Sequence, residues 1–199
     1  MYKLYLLDLK ELNDDNTFLF FFNKLNKVQK EKVKEYSLRK KQNILLSEYL
    51  LYNYFFSNEK FFYNQYGKPY LKNKYFNISH ADNYLLLGIA DEEIGVDMQK
   101  ITFKKNVEKL FSEEEQNLLK TAKEKIFTRY WVLKESYAKY LGVGISKKIL
   151  QETIKKKDVY FYEYEDLNGY MIAVCLKNKH PKEKINYLTL NELGEHDEK

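Results

Sequence analysis

The stretch from Phe76 to Lys100 has a regular pattern of apolar runs and short polar breaks. Two apolar runs, Tyr84–Ala90 and Ile94–Met98, are separated by the three acidic residues 91–93. Short apolar runs joined by a brief polar connection are typical of strands in a hairpin. We therefore expect a short first strand from Phe76, followed by a hairpin over residues 84–98.

Asp97 lies inside the second of these apolar runs, although aspartate is uncommon in strands. Side chains alternate along a strand, so Asp97 and Gln99 are predicted to project from the same face. A carboxylate held in a sheet needs a hydrogen-bond network, a cation or a metal beside it. The pattern leaves these three explanations open. A hydroxyl and an imidazole, Ser79 and His80, end the preceding short strand.

Other segments predict both strands and helices. Alternation predicts a first strand at Tyr2–Leu9, and two apolar runs around a turn predict a hairpin of residues 159–164 with 170–176. Helical spacing of apolar residues predicts a core-facing helix in the second half of the lysine-rich segment 23–58. The lysines of that segment fit an ordinary solvated surface.

Two acidic residues fall in predicted helices. Ser112 and Glu115 have the spacing of a capping box, which offers Glu115 a structural role. The helix predicted over residues 125–141 is apolar on two sides, and Glu135 and Lys139 lie four residues apart between them. An exposed pair would need no aromatic neighbours. We therefore interpret it as a partly buried pair lining a cleft, with a structural salt bridge as the alternative.

Composition and charge limit the class of protein. A chain of 199 residues, 44% hydrophobic and 32% charged, is globular and long enough for one large or two small domains. Its net charge of +5 favours an anionic partner: a nucleic acid, a phosphorylated small molecule or an acidic protein. The single cysteine, Cys175, excludes an internal disulfide framework. No signal-peptide pattern and no apolar run of roughly 20 residues is present, so we expect a cytoplasmic protein without membrane association.

Four motifs occur in a fixed order along the chain. They are YGKP at Tyr66–Pro69, FNISH at Phe76–His80, IGVD at Ile94–Asp97 and WVLKESYAK at Trp131–Lys139. Together they resemble the 4'-phosphopantetheinyl transferases of the surfactin-synthetase-activating (Sfp) type, and the resemblance covers nearly the whole chain. It implies an α+β fold of two similar halves, residues 1–95 and 96–199, with small antiparallel sheets. The halves would be related by a pseudo-twofold axis, with coenzyme A in the cleft between them.

The resemblance also implies a role for individual residues. Residues matching contacts to coenzyme A are Lys68, Ser79 and His80 at its phosphates, with Lys27 and Lys30 near its 3'-phosphate. Residues matching the Mg²⁺ site are Asp97 and Glu135, and hard oxygen ligands suit this ion. Residues matching the proposed general base and the lysine at the reacting phosphate are Glu115 and Lys139.

The chain departs from the family pattern at two positions. Gln99 stands where many relatives carry a second carboxylate after the aspartate. An amide oxygen can still coordinate Mg²⁺ but brings no charge, so we expect lower metal affinity. Asn43 stands where a basic contact to the 3'-phosphate is common, and the neighbouring basic residues 39–41 are open candidates to replace it.

The implied activity is Mg²⁺-dependent transfer of 4'-phosphopantetheine from coenzyme A to a serine of an apo acyl or peptidyl carrier protein, with release of 3',5'-ADP. The resemblance implies an enzyme that completes its own cleft as a monomer. Carrier proteins of this kind are acidic around their serine, so a basic chain would meet them faster.

Two other classes remain open from the sequence. A protein that binds coenzyme A without transferring its arm is compatible with Gln99, and it would release no 3',5'-ADP. A basic nucleic-acid-binding protein fits the lysine runs. However, aromatic and basic residues do not interleave on one predicted sheet face, and Asp97 and Glu135 would repel phosphate without a metal. We therefore expect no nucleic-acid partner.

Overall fold

A computed structural model describes residues 1–57, 59–119, 123–165, 167 and 169–194. The fold is α+β. The strands are β1 (Tyr2–Asp8), β2 (Phe62–Tyr63), β3 (Pro69–Tyr70), β4 (Tyr75–Ala81), β5 (Tyr84–Ala90), β6 (Ile94–Lys100), β7 (Tyr160–Tyr164), β8 (Tyr170–Leu176) and β9 (Ile185–Leu188). The helices are α1 (Asp15–Lys24), α2 (Lys27–Lys34), α3 (Arg39–Phe56), α4 (Glu113–Leu118), α5 (Lys123–Tyr140), α6 (Lys147–Gln151) and α7 (Leu190–Gly194).

Contacts divide the chain into two compact units that are interleaved in sequence. The first unit contains Met1–Leu4, Phe61–Ala81 and Leu86–Lys184. The second contains residues 5–60 and 82–85 and the described residues from 185 onward. The predicted halves, 1–95 and 96–199, divide the chain differently and stay a prediction; residues 195–199 lie outside the described part.

A three-stranded antiparallel sheet organises the first unit, with the strand order β6-β8-β7. Asp97 of β6 is paired in register with Ala173 of β8, and Tyr164 of β7 with Ile172. The predicted hairpin of β7 and β8 is therefore confirmed, although residues 166 and 168 of its turn lie outside the described residues. Helix α5 packs on β6 and β8. The core of this layer includes Phe111, Phe127, Leu133, Leu150, Ile154 and Met171.

The predicted hairpin of β5 with β6 is wrong. Strand β5 belongs to a four-stranded sheet with the order β4-β5-β1-β9, whereas β6 is an edge strand of the three-stranded sheet. The acidic connection between them is held by other contacts: Asp91 binds the amino group of Met1, and Glu92 accepts hydrogen bonds from Asn178. The connection therefore leads from one sheet to another instead of reversing the chain within one sheet.

The second unit is mainly helical. Asp14 caps α1 by accepting a hydrogen bond from the Thr17 amide, and a capping box of Asn26 and Gln29 begins α2. The core-facing helix predicted in the second half of segment 23–58 is confirmed as α3, which packs against α1, α2 and α7. Residue 58 of that segment lies outside the described residues. None of the described helices is both long and apolar enough to span a membrane.

Candidate active site

Along the free edge of β6, backbone N–H groups donate hydrogen bonds to side chains of β4 and not to the carbonyl groups of a neighbouring strand. The Asn77 Oδ1 atom accepts a hydrogen bond from the Val96 amide at 2.9 Å, and the Ser79 Oγ atom accepts one from the Met98 amide at 3.2 Å. Alternate residues of a strand share a face, so positions 77 and 79 reach two alternate N–H groups of β6. This arrangement satisfies the edge of the sheet and fixes the backbone on both sides of Asp97.

Asp97 is buried and carries the charge at the centre of the site. Its Oδ1 atom accepts hydrogen bonds from the Ser79 hydroxyl at 2.9 Å and from the Lys139 ammonium at 2.8 Å. The carboxylate in the strand therefore has both a hydrogen-bond network and a cation beside it, two of the explanations that the sequence left open.

Gly95 lets α5 come close enough for that ion pair. A Cβ atom at this position would lie 1.9 Å from the Ser136 carbonyl oxygen and 2.4 Å from the Tyr140 amide nitrogen. Real Cβ atoms do not approach so closely, so any side chain here would push the helix away. The backbones of β6 and α5 are therefore in direct contact, two residues before Asp97.

Glu135 lies one helical turn before Lys139 and is half-buried. Burial raises the pKa of its carboxyl group; the negative charge of Asp97 raises it further, while Lys139 and Lys104 act in the opposite direction. Within the described part of the chain, no group forms a hydrogen bond or ion pair with the carboxylate of Glu135. The carboxylates of Asp97 and Glu135 thus repel each other, and that of Glu135 has no partner among the described residues.

These donors fit a divalent cation. Asp97 and Glu135 offer carboxylate oxygens, and Gln99 lies on the Asp97 face of β6 with an amide oxygen. No three His, Cys, Asp or Glu side chains of the described residues form a metal-binding group. Mg²⁺ is commonly held by one or two carboxylates and takes its other ligands from phosphate and water, so two carboxylates suffice.

A pocket of about 240 Å³ adjoins Lys139. We call it the lysine pocket, because Lys68 and Lys139 both line it. Its other lining residues are Tyr66, Gly67, Pro69, Asn77, Ile78 and 142–144. The Lys68 ammonium forms an ion pair with Glu93 at 3.0 Å, and its side chain is largely enclosed. The pocket therefore presents two cations to an anionic ligand.

Asn64 joins the two loops that form the lysine pocket. Its Oδ1 atom accepts hydrogen bonds from the amides of Tyr66 and Lys68, and its Nδ2 group donates to the Gly142 carbonyl at 2.6 Å. Gly67 and Gly142 both have positive φ angles, +81° and +70°, which favour glycine. One amide side chain thus sets the position of Lys68 relative to the loop that follows α5.

The structure brings only some of the predicted contacts to coenzyme A together. Lys68 and Lys139 line the lysine pocket, but the Ser79 hydroxyl is buried and bonded to Asp97. His80 is exposed and, as the next residue of β4, projects from the face opposite to Ser79. Lys27 and Lys30 belong to the second unit, where they begin α2. Their predicted roles stay predictions.

Glu115 is enclosed in the interior of the first unit. The predicted capping box is confirmed: the Ser112 hydroxyl accepts from the Glu115 amide, and the Glu115 carboxylate accepts from the Ser112 amide. The carboxylate also binds the Lys134 ammonium at 2.8 Å and the Ile154 amide at 3.0 Å. Glu115 does not line the lysine pocket. The prediction that it acts as general base stays a prediction without support from this geometry.

Three residues of this region were not identified from the sequence. Gly95 carried a usable signal, because a glycine inside a strand often marks close backbone approach. Lys134 gave no signal, since a lysine in a helix is ordinarily exposed. Asn64 was hidden in a polar turn.

Comparisons with known proteins find similarity to one family. A sequence profile of the 4'-phosphopantetheinyl transferase superfamily matches residues 93–178, the segment that contains β6, α5 and β8. The chain is 28% identical to the "4'-phosphopantetheinyl transferase gsp" of Aneurinibacillus migulanus over 201 aligned positions, which cover 85% of this chain and 84% of the relative. Residues 93–178 thus match the 4'-phosphopantetheinyl transferase superfamily, and most of the chain is similar to a 4'-phosphopantetheinyl transferase.

Two further members of the superfamily show the same relationship. The "4'-phosphopantetheinyl transferase Sfp" of Bacillus subtilis is 29% identical over 69% of this chain and 71% of its own length. The "4'-phosphopantetheinyl transferase HetI" of Nostoc sp. is 36% identical over 44% of each chain. The resemblance inferred from the four motifs is thus confirmed.

Proposed function

We propose that the protein transfers the 4'-phosphopantetheine group of coenzyme A to a serine hydroxyl of an apo acyl or peptidyl carrier protein and releases 3',5'-ADP. One observation carries the proposal: Lys139 lines the lysine pocket beside Lys68 and also binds Asp97, whose neighbour Glu135 has no partner in the described chain. Lys139 therefore joins the cations that could bind phosphate to the carboxylates that could bind a metal. This is the combination that transfer of a phosphoryl group requires.

Asp97 and Glu135 would hold Mg²⁺, with Gln99 as a neutral third donor. When bound there, Mg²⁺ supplies positive charge that neutralises the pyrophosphate of coenzyme A. The amide of Gln99 brings no charge, so we expect weaker metal binding than a third carboxylate would give. Burial and the negative charge of Asp97 raise the pKa of Glu135, and a cation at this position would relieve the repulsion between the two carboxylates.

The two lysines act on the substrate directly. The serine oxygen attacks the phosphorus atom that carries the pantetheine arm, and the proton of the hydroxyl passes to water. The bond from that phosphorus to the bridging oxygen of the pyrophosphate breaks, and this oxygen leaves with 3',5'-ADP. Lys68 and Lys139 orient the phosphates and stabilise the charge on the leaving 3',5'-ADP. The proposal also includes His80 at the phosphates and Lys27 and Lys30 at the 3'-phosphate. Glu115 is left out of this scheme because its carboxylate is enclosed.

The expected partner is an acidic carrier protein. The net charge of +5 favours encounter with such a surface and with coenzyme A itself. We propose that the enzyme acts in the cytoplasm as a monomer and needs neither a nucleic acid nor a membrane.

The test is the intact mass of an apo carrier protein after incubation with the enzyme, coenzyme A and Mg²⁺. We expect a gain of one phosphopantetheine, abolished by EDTA and by Asp97→Asn or Glu135→Gln. Glu165→Gln is the matched control, because Glu165 belongs to an exposed ion pair on the surface of the same unit. Calorimetric binding of coenzyme A without a mass gain on several carriers would indicate a binding protein instead. If the protein neither binds coenzyme A nor increases the mass of any carrier, the proposal is overturned.

A further inference from the structure

Lys134 precedes Glu135 on α5 and is completely buried, with 0% of its side chain exposed. Its partner Glu115 has 1% exposed, and the two charged groups are 2.8 Å apart. We propose that Glu115 and Lys134 are a positioning pair, which holds α5 where Glu135 and Lys139 meet Asp97, and that Glu115 takes no proton from the substrate. This inference rests on the proposed function, because it assigns the part that Glu115 plays in that reaction.

Both oxygen atoms of Glu115 and the ammonium group of Lys134 have partners inside the protein. The Glu115 Oε1 atom accepts from the Ile154 amide, and Oε2 accepts from the Ser112 amide and from Lys134. The Lys134 ammonium has three donors, and besides Glu115 it contacts the carbonyl oxygens of Glu152 at 2.5 Å and Ile149 at 3.4 Å. A general base must come within hydrogen-bond distance of the hydroxyl that it deprotonates. The Glu115 side chain is 1% exposed and lines neither the lysine pocket nor the adjoining pocket of about 690 Å³.

The pair joins three segments of the first unit. Ser112 and Glu115 begin α4, Lys134 belongs to α5, and the segment 149–154 ends α6 and leads into a short 3-10 turn. That last segment also forms part of the wall of a second pocket, of about 690 Å³, which shares Tyr66, Val143 and Gly144 with the lysine pocket. Displacement of the pair would therefore move both the helix that carries Lys139 and a wall beside the lysine pocket.

Helix α5 is held from two sides. Gly95 contacts its backbone at Ser136 and Tyr140, and Lys134 is anchored on another side. At 3.6 residues per turn, positions 136 and 140 lie roughly 200° and 240° around the helix axis from position 134. The two contacts are thus nearly opposite each other, and Glu135 and Lys139 lie on the part of the helix that they fix.

A double substitution separates positioning from proton transfer. Removing one partner of a buried ion pair leaves an uncompensated charge, whereas replacing both partners by neutral groups of similar volume is commonly tolerated. A positioning pair can therefore be rescued by its second substitution. A general base cannot, because neither glutamine nor methionine accepts the proton.

The experiment compares Glu115→Gln, Lys134→Met and the double variant in carrier-protein modification, with the thermal midpoint of each protein measured in parallel. We expect each single variant to lose about 10-fold to 100-fold in kcat and to melt earlier. The double variant should recover to within about 10-fold of the unchanged enzyme, with the same pH profile of kcat/KM. Lys125→Met with Glu165→Gln, the same change in an exposed pair that includes a residue of α5, is the control and should match the unchanged enzyme.

The inference is overturned if the double variant melts like the unchanged enzyme but stays about 1,000-fold or more below it, since general-base catalysis contributes on the order of 10²–10⁴-fold. If the double variant does not fold, Glu115→Gln alone decides the question. Loss of the acidic limb of its pH profile would identify Glu115 as the base, and retention of that limb would support positioning. Failure of the unchanged enzyme to modify any carrier would count against the proposed function alone, because rescue of the melting temperature by the second substitution is still measurable.

Discussion

Two of the lysines of helix α5, Lys134 and Lys139, each lie 2.8 Å from a carboxylate, and the two ion pairs have different surroundings. Lys134 and Glu115 are 0% and 1% exposed, whereas Lys139 and Asp97 are 27% and 9% exposed. The first pair is enclosed, and its other hydrogen-bond partners are backbone groups. The second adjoins a pocket and a carboxylate, Glu135, that lacks a partner among the described residues. The distance within an ion pair therefore does not distinguish a structural pair from a reactive one.

The balance of charge separates the two pairs more clearly. Burial lowers the pKa of Lys134, while Glu115 acts against that shift. The enclosed pair therefore has one basic group for its one carboxyl group. Around Lys139 there are two carboxylates, and burial together with Asp97 raises the pKa of Glu135. A site with more carboxylates than cations can take up a metal ion, whereas a balanced pair has no such capacity.

The largest expected effect is on stability, from breaking the enclosed pair. Lys134→Met leaves Glu115 buried without a cation and should lower the free energy of unfolding by about 3–5 kcal/mol. Lys139→Met should lower it by less, about 1–2 kcal/mol, because Lys139 is partly exposed and the buried Asp97 keeps its hydrogen bond from Ser79. Urea unfolding of both variants measures the difference. Equal losses would mean that burial does not separate the two pairs.

Lys139→Met should instead impair catalysis. Removing one group that stabilises charge in the transition state costs about 10²–10³-fold in kcat. Lys125→Met, also on α5 but in an exposed pair, should leave the rate unchanged. Rates of carrier modification at saturating coenzyme A provide the comparison, and a change of less than threefold in Lys139→Met would remove this lysine from the reaction.

Gly95→Ala tests whether the contact of β6 with α5 supports the site. The added methyl group must displace backbone atoms of Ser136 and Tyr140, so we expect a loss of about 1–3 kcal/mol in unfolding free energy and reduced transfer. Gly144→Ala is a suitable control for stability, since nothing lies within 4 Å of a Cβ atom there. Equal stability of the two variants in urea would contradict the close approach.

The smallest effect expected is that of Glu135→Gln on the metal-free protein. The pKa of Glu135 is higher in the folded than in the unfolded chain, so the folded chain binds more protons and stability falls as pH rises between the two values. Glutamine removes this loss. We expect a gain of up to about 1 kcal/mol, or about 2–4 °C, at pH 8 and none below the ordinary pKa of glutamate. Thermal melts at both pH values check this, and an equal gain in acid would contradict it.

The same thermal melts can be repeated with Mg²⁺ present. The ion should raise the melting temperature of the unchanged protein, because a ligand that binds only the folded state stabilises it. The Glu135→Gln variant should lose most of that rise. A full rise in the variant would place the ion elsewhere.

Local patterns were sufficient for much of the fold. The capping box at Ser112, the hairpin of β7 and β8, and helix α5 with its two apolar sides all follow from residues close in sequence. These features depend on periodicity and turn chemistry, which a single chain displays directly. The charged pair predicted within α5 is different in the structure, because Lys139 binds Asp97 of β6 and not Glu135.

Long-range pairing was beyond those patterns. β6 pairs with β8, more than 70 residues later, rather than with its neighbour β5, and nothing in the connection at 91–93 reveals this. Glu115 offered two interpretations, and only its contact with the fully buried Lys134 separates them. The contact of Ser79 with phosphate stays a prediction, and local patterns did not reveal that its hydroxyl donates to Asp97 and accepts from the Met98 amide of the edge strand β6.

The single amide at Asn64 makes the lysine pocket sensitive to chemical ageing. Spontaneous deamidation would replace the Nδ2 donor with an oxygen that faces the Gly142 carbonyl oxygen, so that attraction becomes repulsion. The bonds to the amides of Tyr66 and Lys68 would survive, because they use the oxygen that is already there. The deamidated enzyme should then keep its fold and the loop of residues 64–68. The loop after α5 should separate from that loop, so that Lys68 and Lys139 no longer lie on the same pocket.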